Sequence, residues 1–114
     1  MIKAKFSIDE SKCKVTLKVQ GHAGAAEVGQ DIVCASASIL AYTLAQNIEF
    51  AHTYGKLKSK PTIKFNEGDC TISCRYKDES LFEVVHAFLV IQTGYALLSH
   101  NYPTFVELEM FARD

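Results

Sequence analysis

Hydrophobic and polar residues alternate with a period of two from the start of the chain. Ile2, Ala4, Phe6 and Ile8 fall on one side, with Lys3, Lys5 and Ser7 on the other. After a polar turn at 9–12 the alternation resumes over 13–20, with Cys13, Val15, Leu17 and Val19 set against Lys14, Thr16, Lys18 and Gln20. Two alternating runs joined by a short polar turn predict a β-hairpin with one buried and one wet face. A second hairpin is predicted where 62–65 and 70–76 alternate around Asn66-Glu67-Gly68-Asp69, a strong turn sequence. A last strand is expected at 104–111, after Pro103.

Between these runs the period changes. Residues 21–30 are small and include Gly21, Gly24 and Gly29, which reads as a loop. Asp31 is the expected N-cap of a helix to about residue 51. Ile32, Val33, Ile39, Leu40, Tyr42, Leu44 and Ile48 make that helix apolar on most sides, so it should be buried on most sides. Asp78, Glu79 and Ser80 open a second helix of about 80–99, where acidic residues suit the helix dipole. The order ββαββαβ predicts an α+β fold, with two helices packed on a mainly antiparallel sheet. The second helix is more apolar than one buried face requires, which points to a second copy of the chain as its cover.

Composition narrows the function classes. With 114 residues the chain suits one domain, 1–114, with one core. The 12 Lys and Arg against 13 Asp and Glu give no electrostatic case for nucleic acid as a partner. Glu83, His86 and Gln92 interrupt the apolar stretch at 81–98, so it reads as a core helix and not a membrane span. The alternating N-terminus lacks the apolar run of a secretion signal. The cytoplasm is the expected compartment, with the four cysteines as reduced thiols.

The candidate chemistry lies at the start of the first helix. His22 sits in a glycine loop, and Cys34 follows Asp31 by three residues, in the first turn if Asp31 is the N-cap. Orphan N–H groups and the helix dipole there favour a thiolate. Asp31, Cys34 and Ser38 are spaced three and four apart, on one helix face. A thiolate is a strong nucleophile, and a nearby imidazole can activate it and protonate a leaving amine. Ser38 could donate to the thiolate or to an oxyanion. Asp31 could cap the helix, orient His22, or do both.

Gly21-His22-Ala23, Gly29, then Asp31-Ile32-Val33-Cys34-Ala35 and Ser38 resemble the signature of the ribosomal-processing cysteine protease family Prp, also called YsxB-like. The match is close over 21–40 and loose elsewhere. The resemblance implies a bacterial cytoplasmic thiol protease that forms homodimers. Its substrate would be the precursor of ribosomal protein L twenty-seven, which loses a short N-terminal extension ending in an apolar stretch. It implies Cys34 as nucleophile and His22 as acid/base, with Asp31 and Ser38 as further motif positions. Gly21, Ala23, Gly24 and Gly29 would belong to a cover loop ordered by substrate. No cofactor or metal is implied. Ser36 and Ile39 depart from the family's usual small residues, and neither change removes a catalytic group.

Other features have plainer readings. Cys70 and Cys74, four apart on a strand, are expected in the core, and their spacing with Cys13 is not that of a zinc site. His86 is expected in the interior or at an interface, and His52 and His100 near helix ends. Lys56, Lys58, Lys60 and Lys64 form a basic turn, read as a solvated loop, with an RNA contact on a ribosomal precursor as the minor alternative. A non-catalytic ribosome-associated binding module and a small redox or metal-handling protein are the alternatives to the protease. The joint presence of His22, Asp31, Cys34 and Ser38 favours the protease.

Overall fold

A computed structural model describes residues 1–21 and 30–112, and for Gln30 and Asp31 the backbone alone. The strands β1 (Ile2–Asp9) and β2 (Lys14–Gln20) form the first hairpin, closed by the pair Asp9 and Lys14. The helix α1 (Gln30–Thr53) follows, then β3 (Thr62–Asn66), β4 (Asp69–Arg75), α2 (Leu81–Asn101) and β5 (Val106–Glu109). The five strands lie in the order β3-β4-β2-β1-β5. All pairs are antiparallel except β1 with β5. The expected α+β order therefore holds, with one parallel pair at the edge.

Alternation decides the two faces. Ile2, Ala4, Phe6, Val15, Leu17, Ile72 and Cys74 point inward and are buried, while Lys3, Lys5, Lys14 and Lys18 point to solvent. Both helices pack on the inward face. In α2 the buried positions are Val84, Phe88, Ile91, Tyr95 and Leu98, the three- and four-residue spacing of one helical stripe. The segment Asp78–Asn101 is long and apolar enough to cross a bilayer by length and composition. Here one stripe of it packs on the sheet and α1, and 28% of that apolar stretch is buried.

Two local details differ from the sequence expectation. Cys13 is not on β2: it follows a 3₁₀ turn at Glu10–Lys12, with φ 53 in the left-handed region. That turn absorbs one residue more than the alternation suggested. α1 runs past residue 51 to Thr53 and is closed by Gly55, whose φ is 74. Lys56 N–H donates to the Ala51 carbonyl and Gly55 N–H to that of His52, the paired bonds that satisfy a helix end when glycine takes the left-handed position. His86, expected in the interior or at an interface, is exposed, in a groove with Thr43 and Asn47 of α1.

The two helices meet closely at Gly94, where a Cβ would collide with the Leu40 side chain. Nearby, the buried Tyr95 hydroxyl donates to the Ala37 carbonyl at 2.7 Å. This bond ties α2 to α1 one turn beyond Cys34.

Candidate active site

α1 brings Cys34 and Ser38 to one open cavity of about 360 Å³. The floor is Ile2, Val19, Ala37, Ala41 and Cys70, and the far wall is the β3–β4 turn from Phe65 to Asp69. The i, i+4 spacing of Cys34 and Ser38 puts them on the same helix face. Side chains on a helix lean toward its N-terminus, so Ser38 lies over the turn of Cys34, and Cys34 over the turn of Gln30 and Asp31. Cys34 is a free, half-buried thiol and Ser38 is exposed. Ser36 and Ile39 are not among the described residues lining the cavity.

In the same cavity, the aromatic rings of Tyr42 and Phe65 pack tilted against each other with centroids 4.6 Å apart. Tyr42 is on α1, one turn beyond Ser38. Phe65 is on β3, paired with Cys70. Both are substantially exposed, 53% and 39%, so the pair presents apolar surface to an incoming ligand. Tyr42 forms one wall of the cavity. Phe65 was not legible as one, because its approach to α1 depends on how β3 adds to the sheet.

Gly21 has a structural reason to be glycine. Its φ is 97, and a Cβ would collide with the backbone carbonyl oxygen of Met1. Its N–H donates to the Gly68 carbonyl at 3.0 Å. The end of β2 is thus pinned between the N-terminus and the β3–β4 turn, at the cavity. His22, Ala23, Gly24 and Gly29 lie outside the described residues. Asp31 is already helical, since α1 includes Gln30, so the N-cap assignment is corrected; its side chain lies outside the described residues. Cys34 is the fifth residue of α1 as described and falls in its second turn, not its first.

The cavity holds a second thiol with a different character. Burial and the neighbouring Asp69 carboxylate push Cys70 from 9.0 up to about 11. Cys74, deeper on the same strand, is pushed up to about 12 by burial. Both are protonated at neutral pH, as core cysteines. Among the described residues, no three His, Cys, Asp or Glu side chains cluster to hold a metal ion.

A half-buried thiol and a hydroxyl one turn apart line an open cavity with an aromatic wall, where a thiol nucleophile would meet a ligand. The family model described as cysteine protease Prp matches residues 1–107. The chain belongs to this family and is a cysteine protease. No curated protein matches it in sequence. Solved structures similar to it include the ribosomal processing protease Prp from S. aureus in complex with a substrate peptide. There the identity is 22%, the match covers 96% of this chain and 99% of that one, and the TM-score is 0.69. The same protease with a covalently linked product peptide matches over the same shares at 22% identity, with a TM-score of 0.67. A protein from Streptococcus mutans is 25% identical over 99% of this chain and 96% of its own, with a TM-score of 0.69.

Proposed function

We propose that this cysteine protease processes a ribosomal protein, removing the short N-terminal extension of the precursor of ribosomal protein L twenty-seven in the cytoplasm. The observation that carries the reading is the placement of Cys34 in a cavity faced by Tyr42 and Phe65. A nucleophile beside an apolar wall suits an extension that ends in apolar residues. The similarity to a protease solved with a substrate peptide supports the same direction.

The reaction follows acyl-transfer chemistry. The Cys34 thiolate attacks the scissile carbonyl carbon and forms a C–S bond. The carbonyl oxygen gains negative charge, stabilised by the Ser38 hydroxyl and by N–H groups of the first helical turn. The tetrahedral intermediate collapses, the C–N bond breaks, and His22 as imidazolium protonates the departing amine. His22 then takes a proton from water. The resulting hydroxide attacks the thioester, and the Cys34 thiolate leaves. Asp31, a turn before Cys34, is a candidate orienter of His22.

The enzyme works as a homodimer in this reading. Phe82, Val90 and Leu97 of α2 are 87%, 54% and 60% exposed, more apolar surface than scattered single residues explain. Light scattering of the wild type and of Leu97→Asp tests this: a dimer lost in the variant supports it, and a monomeric wild type refutes it.

Intact mass spectrometry of the precursor, incubated with wild type, Cys34→Ala and His22→Ala, tests the activity. Loss of the N-terminal peptide with the wild type alone is expected. An intact precursor in every tube refutes the substrate assignment. Cleavage by Cys34→Ala refutes the nucleophile.

A further inference from the structure

The two edges of the sheet differ. At the β5 edge, outward backbone groups are taken up within the chain. The Val106 N–H donates to the Tyr102 carbonyl at 3.1 Å, and the Val106 carbonyl accepts from the Ser99 hydroxyl at 3.1 Å. The β3 edge has no such cover among the described residues. β3 pairs with β4 and with no other strand, and its residues are exposed except for the half-buried Ile63.

Which groups face that edge follows from the turn. Asn66 and Asp69 close a two-residue hairpin loop. They, Lys64 with Thr71, and Thr62 with Ser73 are therefore the hydrogen-bonded pairs. The bond from the Lys58 N–H to the Arg75 carbonyl keeps the same phase along β4. Phe65 with Cys70 and Ile63 with Ile72 are then the non-bonded pairs. The N–H and C=O groups of Ile63 and Phe65 thus point away from β4, along the free edge. Their side chains share the inward face with the buried Cys70 and Ile72, and Phe65 joins Tyr42 in the cavity wall.

The edge is continuous with the site. β3 runs toward the 66–69 turn that walls the cavity of Cys34. From Cys34 to Tyr42 is about 12 Å of helix, the length of about four residues of strand. A segment lying beside β3 and running parallel to it would reach Cys34 about four residues after passing Phe65.

We propose, on the footing of the processing reaction, that the substrate segment preceding the cut adds to the edge of β3 as a parallel strand. The edge groups of Ile63 and Phe65 supply main-chain hydrogen bonds that any sequence can make, and side chains at alternate positions supply apolar contact. In a parallel pair, the residue whose side chain lies beside Phe65 turns its own N–H and C=O away from β3, and its two neighbours turn theirs toward it. Positions that need a backbone N–H therefore alternate out of step with positions that need an apolar side chain. In an antiparallel pair, one residue would carry both needs and the two alternations would coincide.

The test is the kinetics of wild-type cleavage of peptides spanning the cut, with one residue at a time N-methylated or replaced by alanine. N-methylation should lower kcat/KM about 5-fold or more, the loss of one main-chain hydrogen bond, at alternate positions before the cut. Alanine should weaken cleavage at the intervening positions. On the enzyme, Ile63→Pro removes an outward donor and no bond to β4. It should raise KM about 5-fold over Ile63→Ala with little change in kcat. The peptide scan uses the wild-type chain, so it stands even where Ile63→Pro misfolds. A flat response to N-methylation, coinciding alternations, or sensitivity confined to residues after the cut would each overturn the proposal. So would an Ile63→Pro variant with unchanged KM and an altered oligomeric state by light scattering, which would give the edge to a second copy of the chain. A precursor left intact by the wild type refutes the processing reaction and this inference with it, whereas a cleaved precursor with a flat scan overturns this inference alone.

Discussion

Gly21→Ala should damage fold and activity together, by an amount a second glycine calibrates. At φ 97 an L-residue is strained, at about 1–2 kcal/mol. Alanine returns about 0.4–1 kcal/mol by restricting the unfolded chain. What remains is the collision of the new Cβ with the Met1 carbonyl oxygen. That is backbone against backbone, so relief requires moving β1, already paired along β2, or the end of β2 itself. An overpacked methyl of this kind adds roughly 1–3 kcal/mol, for a net loss of about 2–4 kcal/mol. Gly55 has φ 74, yet a Cβ there would meet only the end of the Lys77 side chain, at 3.9 Å. Gly55→Ala therefore carries the strain without the collision, and its loss should be about 1 kcal/mol. Urea unfolding of both variants gives the difference directly. Because Gly21 also hydrogen-bonds Gly68 at the cavity, Gly21→Ala should lower kcat/KM on the precursor while Gly55→Ala leaves it unchanged. Equal stability losses in the two variants, or full activity in Gly21→Ala, would refute the argument.

Other expectations follow from the same geometry. Ser38→Ala should lower kcat/KM by about two powers of ten, the usual loss of about 3 kcal/mol for one oxyanion donor, and retained activity would assign Ser38 a packing role. Tyr42→Ala, measured with a peptide of the extension, should raise KM more than it lowers kcat, since it removes wall surface and no reacting group. Tyr95→Phe should lower stability by about 1 kcal/mol, read as a fall of several degrees in Tm. Cys70 and Cys74 are raised from 9.0 to about 11 and about 12, so between pH 9 and 12 the native state holds more protons than the unfolded chain. Stability should therefore be full below pH 9 and decline as pH rises through that window, and urea midpoints at pH 8 and 10.5 will show it.

Much of the fold was legible because its signals are local. Ile2, Ala4 and Phe6 against Lys3 and Lys5 define a strand with one buried face wherever that strand ends up. Of the site, one relation was legible: Cys34 and Ser38 share a helix face by spacing alone, and the cavity is lined by both. The misplaced boundaries have local causes too. Asp31 is a good capping residue, but the helix includes Gln30, and Cys13 fits the alternation although a 3₁₀ turn has taken it out of the strand.

Tertiary structure decided whatever depends on partners distant in sequence. Nothing near Phe65 says that it meets Tyr42, or that β5 joins β1 in parallel. Two cysteines four apart on β4 do not reveal that one enters the cavity of Cys34 while the other stays deep in the core. Periodicity determines which way a side chain points within its own element. The neighbours it then meets depend on how elements far apart in the chain bury their apolar faces together.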